Sequence, residues 1–307
     1  MHAMTFAFGG LGSAPFPPDV QEHLVGLDRS SRADEAPSND AGTNENSVLD
    51  LVGIRLSFGG VVALRDIDLS VGRGEILAII GPNGAGKSSI INVISGVYRP
   101  DRGRVRLSGR DYTQVPTQAL ARYGVARTFQ NLGLFKGLSV VDNVVAGRAY
   151  RTRSSFIGQI AGSGRARAEQ VDARDRAARV LGFLHLSHVG DRLAGTLPYG
   201  LQKRVELARA LVAEPRILLL DEPMAGMTAA EKDEMADFVR AARDTLGTTV
   251  VLIEHDIGVV MGLSDRVVVL DYGRKIADGP PDEVQANQRV IDAYLGVAPE
   301  NEDGEGI

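Results

Sequence analysis

The chain has 307 residues, of which 44% are hydrophobic, so it can bury the core of one large domain or of two smaller ones. It contains no cysteine, which excludes a disulfide framework and thiol chemistry, and its formal net charge of −5 arises from acidic ends around a mildly basic middle. No apolar run approaches the roughly 20 residues that a membrane-spanning helix needs, and the N-terminus lacks the charged-then-apolar pattern of a secretion signal.

The first 47 residues are rich in glycine, proline, serine, aspartate and asparagine and have no hydrophobic period. This composition predicts a disordered extension, because it offers little apolar surface to offset the entropy lost on ordering. From Val48 to Glu75 short apolar and polar stretches alternate, which predicts short antiparallel strands. Residues 104–112 indicate a further strand pair.

A glycine-rich loop follows the first continuous aliphatic run of the chain. Residues Gly81 to Ser88 read GPNGAGKS and come directly after residues 75–80, which read EILAII. Glycines let backbone amides close around phosphate oxygens, and the helix predicted from Gly86 to Ser95 points its positive end at the anion. In such a loop Lys87 reaches the outer phosphates and the Ser88 hydroxyl can ligate Mg²⁺. The sequence therefore predicts a nucleotide-binding site.

Helical and strand patterns alternate in the second half of the chain. Residues 139–211 are mostly helical in pattern, and three aliphatic runs follow at Ile217–Leu220, Thr249–Ile253 and Val267–Leu270. Continuous aliphatic character is what a strand buried on both faces requires. The helical segment Ala229–Leu246 links two of these strands as a βαβ crossover. The pattern predicts a parallel sheet covered by helices.

Two adjacent carboxylates end the first of these strands. Residues Ile217 to Pro223 read ILLLDEP. An aspartate at the end of a buried strand, here Asp221, can hold Mg²⁺ directly or through water. The neighbouring Glu222 can polarise an attacking water as a general base. Together with the phosphate loop, this pair predicts the hydrolysis of a nucleoside triphosphate.

A third motif lies between the other two. Leu197 to Arg204 reads LPYGLQKR and runs into a helical pattern that continues to Leu211. With this segment in place, the chain resembles the nucleotide-binding subunits of ABC transporters, whose signature at this point is usually LSGGQ. The resemblance covers about Leu49 to Gly296.

The resemblance implies an α/β fold: a P-loop NTPase core with a parallel sheet, an N-terminal antiparallel β subdomain and an inserted α-helical subdomain. The implied boundaries are a disordered extension at 1–47, an ABC ATPase domain at 48–297 with its helical subdomain at about 131–211, and an acidic flexible tail at 298–307.

Four further residues or segments resemble functional motifs of that family. Phe58 is similar to the aromatic residue that stacks on adenine, and Gln130, in the run RTFQ, to the glutamine that contacts Mg²⁺ and senses the membrane subunits. Met224–Thr228 resembles the loop that crosses the dimer interface, and His255 the switch histidine that contacts the γ-phosphate.

The resemblance therefore implies ATP and Mg²⁺ as ligands and three sets of site residues. The catalytic residues are Lys87, Gln130, Glu222 and His255; the metal-binding residues are Ser88, Gln130 and Asp221. The nucleotide-binding residues are Phe58, Gly81, Pro82, Asn83, Gly84, Ala85, Gly86, Lys87, Ser88 and Ser89, joined in trans by Pro198, Tyr199, Gly200 and Leu201.

Two positions depart from the family pattern. Pro198 replaces the signature serine, whose hydroxyl contacts the γ-phosphate of the opposite site, although proline suits the opening of a helix. We expect the helix N-terminus and the Gly200 amide to bind phosphate in its place. Thr228 replaces the usual aspartate of the interface loop, which affects the predicted coupling across the dimer rather than ATP binding.

The resemblance also implies partners. Two ATPase subunits close head to tail on two ATP molecules, so that the phosphate loop of one meets the signature of the other. The expected partners are a second ABC ATPase, a different chain in this subgroup, two multi-span permease subunits and, indirectly, an extracytoplasmic solute-binding protein, with no nucleic acid. The expected location is peripheral, on the cytoplasmic face of the plasma (inner) membrane.

Finer features favour branched-chain amino-acid importers within the family. These are the pair Tyr199-Gly200 after Leu-Pro, the run IEHDIGVVM at 253–261, the ending VIDAYLG at 290–296, and the long segment between Asn131 and Leu197 with its extra stretch near 151–169. Importers of urea or amides and lipopolysaccharide exporters are the alternatives. Non-transport ABC ATPases are a different class, disfavoured here by the absence of long heptad inserts and of a second cassette. Glu222 argues against a module that binds ATP without hydrolysis.

Overall fold

The computed structural model describes residues 46–149 and 164–295. The predicted disordered extension up to residue 45, most of the extra stretch near 151–169 and the predicted acidic tail lie outside the described residues. Asn46 and Ser47 already belong to the fold, because Arg73 donates its backbone N–H to the Asn46 carbonyl at 3.0 Å and Ser47 begins the first strand.

The described residues form the following strands and α-helices, in chain order. The strands are β1 (Ser47–Phe58), β2 (Val61–Gly72), β3 (Ile76–Ile80), β4 (Arg102–Leu107), β5 (Arg110–Tyr112), β6 (Val125–Arg127), β7 (Ile217–Asp221), β8 (Thr249–Ile253), β9 (Arg266–Asp271) and β10 (Arg274–Gly279). The α-helices are α1 (Lys87–Ile94), α2 (Val140–Ala146), α3 (Gly164–Phe183), α4 (Tyr199–Leu211), α5 (Ala229–Leu246), α6 (Ile257–Leu263), α7 (Pro281–Gln285) and α8 (Gln288–Leu295).

The smaller sheet is antiparallel, in the order β2-β1-β4-β5. Along β1, Leu49, Leu51, Ile54 and Leu56 are buried. Leu51 and Ile54 are three positions apart, so a regular strand would place them on opposite faces. A register shift between them keeps both on the buried face, and Gly53, with φ of 56°, lies within this shift. The predicted N-terminal strands and the strand pair within 104–112 are confirmed.

The larger sheet has the order β10-β9-β3-β8-β7-β6, and its β9-β3-β8-β7-β6 part is parallel. Every residue of β3, β7 and β8 is buried, as their continuous aliphatic runs predict. Two edge strands were not predicted. The strand β6 has only three residues, and β10, antiparallel to β9, is mostly polar, so neither has the aliphatic run that identifies a central strand.

Different layers cover the two faces of the larger sheet. On one face Leu218, Leu220 and Leu252 pack with α5 and with the helices α2, α3 and α4. On the other, Leu219 and Val251 pack with α1 and with the inner face of the antiparallel sheet. The sheet is therefore sandwiched, and α5 makes the predicted crossover from β7 to β8.

The carboxyl ends of neighbouring parallel strands meet at one edge of a sheet, which is where ligands bind in open α/β folds. Because β8 lies between β3 and β7, the loops after these three strands share this edge. They carry the phosphate loop after β3, Asp221 and Glu222 at the end of β7, and His255 after β8. No helix in the described ranges has the length and apolar character needed to cross a membrane.

We predict that Gly96→Ala destabilises the fold by more than about 2 kcal/mol, because a left-handed backbone alone costs an alanine roughly 1–2 kcal/mol. Gly96 has φ of +70°, and an added Cβ would lie 1.9 Å from the Val115 carbonyl oxygen. The control is Gly262→Ala within α6, where a Cβ meets nothing within 4 Å. Urea unfolding should give the control equal or slightly higher stability; a Gly96→Ala protein as stable as the control would contradict this packing.

Candidate active site

The phosphate loop is packed so closely that two of its glycines are required. Gly81 has φ of +145°, and a Cβ there would lie 2.1 Å from the Leu270 carbonyl oxygen. Gly86, just before α1, has φ of +104°, and its Cβ would lie 2.7 Å from the Ala63 carbonyl oxygen. The loop is therefore held between β9 and β2, with its backbone shape fixed by these neighbours.

The ammonium group of Lys87 is folded back onto this loop. It donates to the Gly81 and Pro82 carbonyls at 2.8 and 2.9 Å, and the residue is buried. Burial lowers the pKa of Lys87, whereas the charges of Glu222 and Asp221 act to raise it. The predicted loop lysine and the two predicted carboxylates therefore lie in one electrostatic cluster. An anion in the loop would provide the charged partner that the carbonyls do not.

Asp221 is buried at the end of β7 and only partly satisfied. Its Oδ2 accepts from Arg127 of β6 at 3.3 Å, while its Oδ1 has no hydrogen-bond partner among residues 46–149 and 164–295. Burial raises the pKa of Asp221 despite the opposing effect of Arg127. A buried carboxylate oxygen without a partner fits a hard cation such as Mg²⁺, which takes oxygen ligands.

The other three predicted catalytic groups meet at the Glu222 carboxylate. Its Oε1 is 2.7 Å from Nε2 of His255, and its Oε2 accepts from Nε2 of Gln130 at 3.1 Å. Glu222 has φ of +51°, a left-handed conformation that non-glycine residues adopt only when their surroundings impose it. Its N–H donates to the Ile253 carbonyl at 2.9 Å, which fixes that conformation against β8.

A buried carboxylate that was not predicted supports this group. Glu254 accepts from the backbone N–H of Met224 at 2.7 Å and from that of His255 at 3.2 Å. It is 3% exposed, and burial raises its pKa against the lowering effect of these two amides. Glu254 thus connects the loop after Glu222 to the switch histidine. An acid directly after the aliphatic run TVVLI was the available sequence signal.

Phe58 ends β1 at the hairpin that faces the phosphate loop. It pairs with Val61 across the hairpin, and Ala63, two residues further on, contacts Gly86 of the loop. The Phe58 side chain is 45% exposed, with its ring centroid 5.0 Å from that of Tyr98. An exposed, laterally supported ring beside a phosphate loop is suited to stacking on a nucleotide base.

The signature segment opens α4 and packs against the start of α5. Pro198 is the N-cap residue of α4, and Gly200 lies so close to the Glu231 carboxylate that an added Cβ would clash with it. The Tyr199 ring packs on Gly226 of the predicted interface loop. In the described parts of the chain, none of Pro198, Tyr199, Gly200 and Leu201 hydrogen-bonds to the phosphate loop.

Thr228, which departs from the family pattern, caps the start of α5. Its hydroxyl accepts from the N–H of Glu231, and the Glu231 carboxylate accepts from the N–H of Thr228 at 2.9 Å. This reciprocal capping box begins α5. Aspartate and threonine both cap helices, so the replacement preserves the helix start while it removes a charge.

Comparison with known proteins agrees with this geometry. A family model described as "ABC transporter" matches residues 64–225, more than half of the chain. The chain belongs to the ABC transporter ATP-binding family. As a member of it, this ABC ATPase binds and hydrolyses ATP, and its α/β fold is the ATP-binding cassette.

Relatives of this ABC ATPase are similar over nearly their whole length. It is 39% identical to the "High-affinity branched-chain amino acid transport ATP-binding protein BraF" of Pseudomonas aeruginosa, over 82% of this chain and 98% of that one. It is 38% identical to the corresponding LivG protein of Escherichia coli K12, with the same coverage. A second family model, "Branched-chain amino acid ATP-binding cassette transporter", matches residues 274–300.

Solved structures agree on the fold. A crystal structure of the ADP conformation of an ATP-binding cassette from an ABC transporter matches with a TM-score of 0.71 and 33% identity. The match covers 81% of this chain and 99% of that one. A nucleotide-free cassette matches equally well, with a TM-score of 0.71 and 32% identity, over 81% of this chain and 98% of that one.

We predict that Glu254→Ala lowers the free energy of unfolding by about 2 kcal/mol or more, because each buried donor left without a partner costs roughly 1–3 kcal/mol. The Met224 and His255 amides would both lose their acceptor. Asp233→Ala, at an exposed position of α5, is the matched control and should stay within about 0.5 kcal/mol of the wild type. Equal urea midpoints for the two variants would argue against a structural role for Glu254.

Proposed function

We propose that this ABC ATPase powers an importer of branched-chain amino acids. The main support is the similarity to BraF and LivG over four-fifths of the chain. The match of residues 274–300 to a branched-chain amino acid cassette model adds to it, because that region lies outside the part matched by the general ABC model. The substrate itself would be selected by other subunits.

Hydrolysis would rely on the residues gathered at the edge of the large sheet. Glu222 is the proposed general base, held between His255 and Gln130. Lys87 would exchange its carbonyl partners for the outer phosphates, and the exposed Phe58 would stack on adenine. His255 would contact the γ-phosphate. Phosphoryl transfer to water needs mainly such positioning and charge stabilisation.

The nucleotide would lie on the loop itself. The backbone N–H groups of Gly81, Asn83, Gly84, Ala85 and Gly86 are proposed to donate to the phosphates, together with Ser88 and Ser89 at the start of α1. Pro82, which has no N–H, is proposed to complete the nucleotide-binding loop without donating to the phosphates. Asp221, Ser88 and Gln130 would hold Mg²⁺, and the orphaned Oδ1 of Asp221 supports this assignment. When bound, Mg²⁺ neutralises charge on the phosphate oxygens.

The second half of each site would come from another subunit. Pro198 and Tyr199 are exposed at the start of α4. The buried Gly200 and the partly buried Leu201 follow them in its first turn, where backbone N–H groups lack partners within the helix. We propose that this end binds the γ-phosphate of the opposite ATP, with backbone donors in the place of the signature serine hydroxyl. The full complex would contain a second ABC ATPase, two permease subunits and a solute-binding protein, with this chain peripheral on the cytoplasmic face of the inner membrane.

We predict that Glu222→Gln slows ATP turnover by about 10²–10⁴-fold, the usual contribution of a general base. The change keeps the size of the side chain and leaves the phosphate loop intact, but it removes a negative charge beside the phosphates, so ATP should bind at least as tightly and stay trapped on the enzyme. The assay is ATP hydrolysis by the assembled complex, alongside nucleotide binding. Glu283→Gln, at an exposed position of α7, is the control. Wild-type turnover in Glu222→Gln would remove Glu222 from the role of base.

The importer itself is tested by its assembly. Purification of the tagged chain from its native membranes in mild detergent with ATP should recover two multi-span subunits and a second ATPase. After reconstitution with the associated solute-binding protein, leucine, isoleucine or valine should stimulate ATP hydrolysis, whereas urea and short amides should not. Stimulation by urea alone, or recovery of soluble partners only, would contradict the proposal and leave the ATPase assignment intact.

A further inference from the structure

A buried lysine without a role in the family resemblance lies between α4 and the catalytic residues. Lys203, in the second turn of α4, is only 3% exposed. Its ammonium nitrogen is 3.3 Å from the carbonyl oxygen of Gln130 and 3.3 Å from that of Glu222. The Gln130 and Glu222 side chains are themselves joined by a hydrogen bond. One cation therefore holds the backbones of the two residues whose side chains form the hydrolytic pair.

The charge of Lys203 belongs to the electrostatics of the site. An ammonium group is costly to bury unless acceptors surround it, and an apolar side chain could fill the same space at less cost. Burial raises the pKa of Asp221 and of Glu206, and the Lys203 charge acts in the opposite direction on both. Lys203 therefore favours the ionised form of Asp221 while it donates to the carbonyl groups beside it.

The same helical turn carries the signature segment. Tyr199 is the first residue of α4 and is 44% exposed, and its ring centroid lies 5.9 Å from the Lys203 ammonium. Four residues of helix separate the two positions, which corresponds to a rise of about 6 Å. Because a hydrogen-bonded helical turn moves as a unit, a displacement of the exposed start of α4 also displaces the Lys203 ammonium.

We propose that Lys203 is a positioning residue. Through it, ATP hydrolysis at the site of its own subunit depends on how the start of the same α4 is positioned at the ATP site of the opposite subunit. The start of α4 faces the site of the opposite subunit, while Lys203 holds Gln130 and Glu222 of its own site. The inference rests on the proposed function, since it requires two subunits closed head to tail. Lys203 takes no part in the transfer of a proton or a phosphoryl group.

The test is Lys203→Met in the full chain, assembled with its partner subunits. We expect kcat for ATP to fall by about 10- to 100-fold, the loss that a misplacement of catalytic groups by about 1 Å produces. The Kd of the full chain for ATP should change by less than about twofold, because no loop contact is removed. Lys203→Arg, which keeps a charged donor, should recover much of the rate. The control is Lys275→Met on β10, where the lysine pairs with Asp278 at 2.7 Å.

A cycle with Glu222→Gln separates positioning from a general loss of stability. If Lys203 acts by aligning the Glu222 carboxylate, the double variant should be no more than about threefold slower than Glu222→Gln alone, because the base that Lys203 positions is already absent. A double variant whose kcat falls by the product of the two single losses would contradict the proposal. So would a Lys203→Met complex with wild-type kcat, or one whose Kd for ATP rises by as much as its kcat falls. If Lys203→Met does not assemble, Lys203→Gln, which keeps a neutral donor, is measured in its place.

The two proposals fail in different ways. If the Lys203→Met complex hydrolyses ATP at the wild-type rate, the role of Lys203 is overturned and the proposed function stands. A wild-type complex that lacks amino-acid-stimulated hydrolysis, with Lys203→Met still slowing basal turnover, would overturn the proposed importer and support the positioning role.

Discussion

Parallel pairing of β3, β8 and β7 at the centre of the large sheet is the constraint on which the site depends. The registers Ile79 to Ile253 and Leu219 to Val251 bring the ends of these strands to one edge. The phosphate loop, the Glu222 carboxylate and the His255 ring leave the sheet there, although they are far apart in the chain. Because both faces of the strands are buried, a slip in register would disrupt the packing against both covering layers and misplace all three groups.

The same edge concentrates charges that water would otherwise solvate. Asp221, Glu254 and the two lysines, Lys87 and Lys203, are each less than 7% exposed. Glu254 is satisfied by backbone amides and the lysines by carbonyl groups, whereas one oxygen of Asp221 is left without a partner among the described residues. Phosphate and a divalent cation would complete the partners of Lys87 and Asp221. Ligand binding would therefore relieve a desolvation cost that the fold imposes.

The two departures from the family pattern lie at the starts of helices. Pro198 precedes α4, where the missing N–H breaks no helical hydrogen bond, and Thr228 caps α5 through its box with Glu231. Gly200 packs on that same Glu231, so the starts of the two helices are held together. Both departures keep this arrangement. Pro198 lacks the hydroxyl and the backbone N–H of the family's serine, and Thr228 lacks the charge of the family's aspartate.

The sequence by itself determined the phosphate loop, the paired carboxylates, the central strands and the family, because each is a local pattern of residue types at fixed spacing. The edge strands β6 and β10 were not predicted, since short or polar strands owe their pairing to a neighbour. The supporting roles of Glu254, Arg127 and Lys203 were also decided only by the tertiary structure. Their partners lie on other strands and loops, and the burial that gives their charges such influence exists only once these elements pack together.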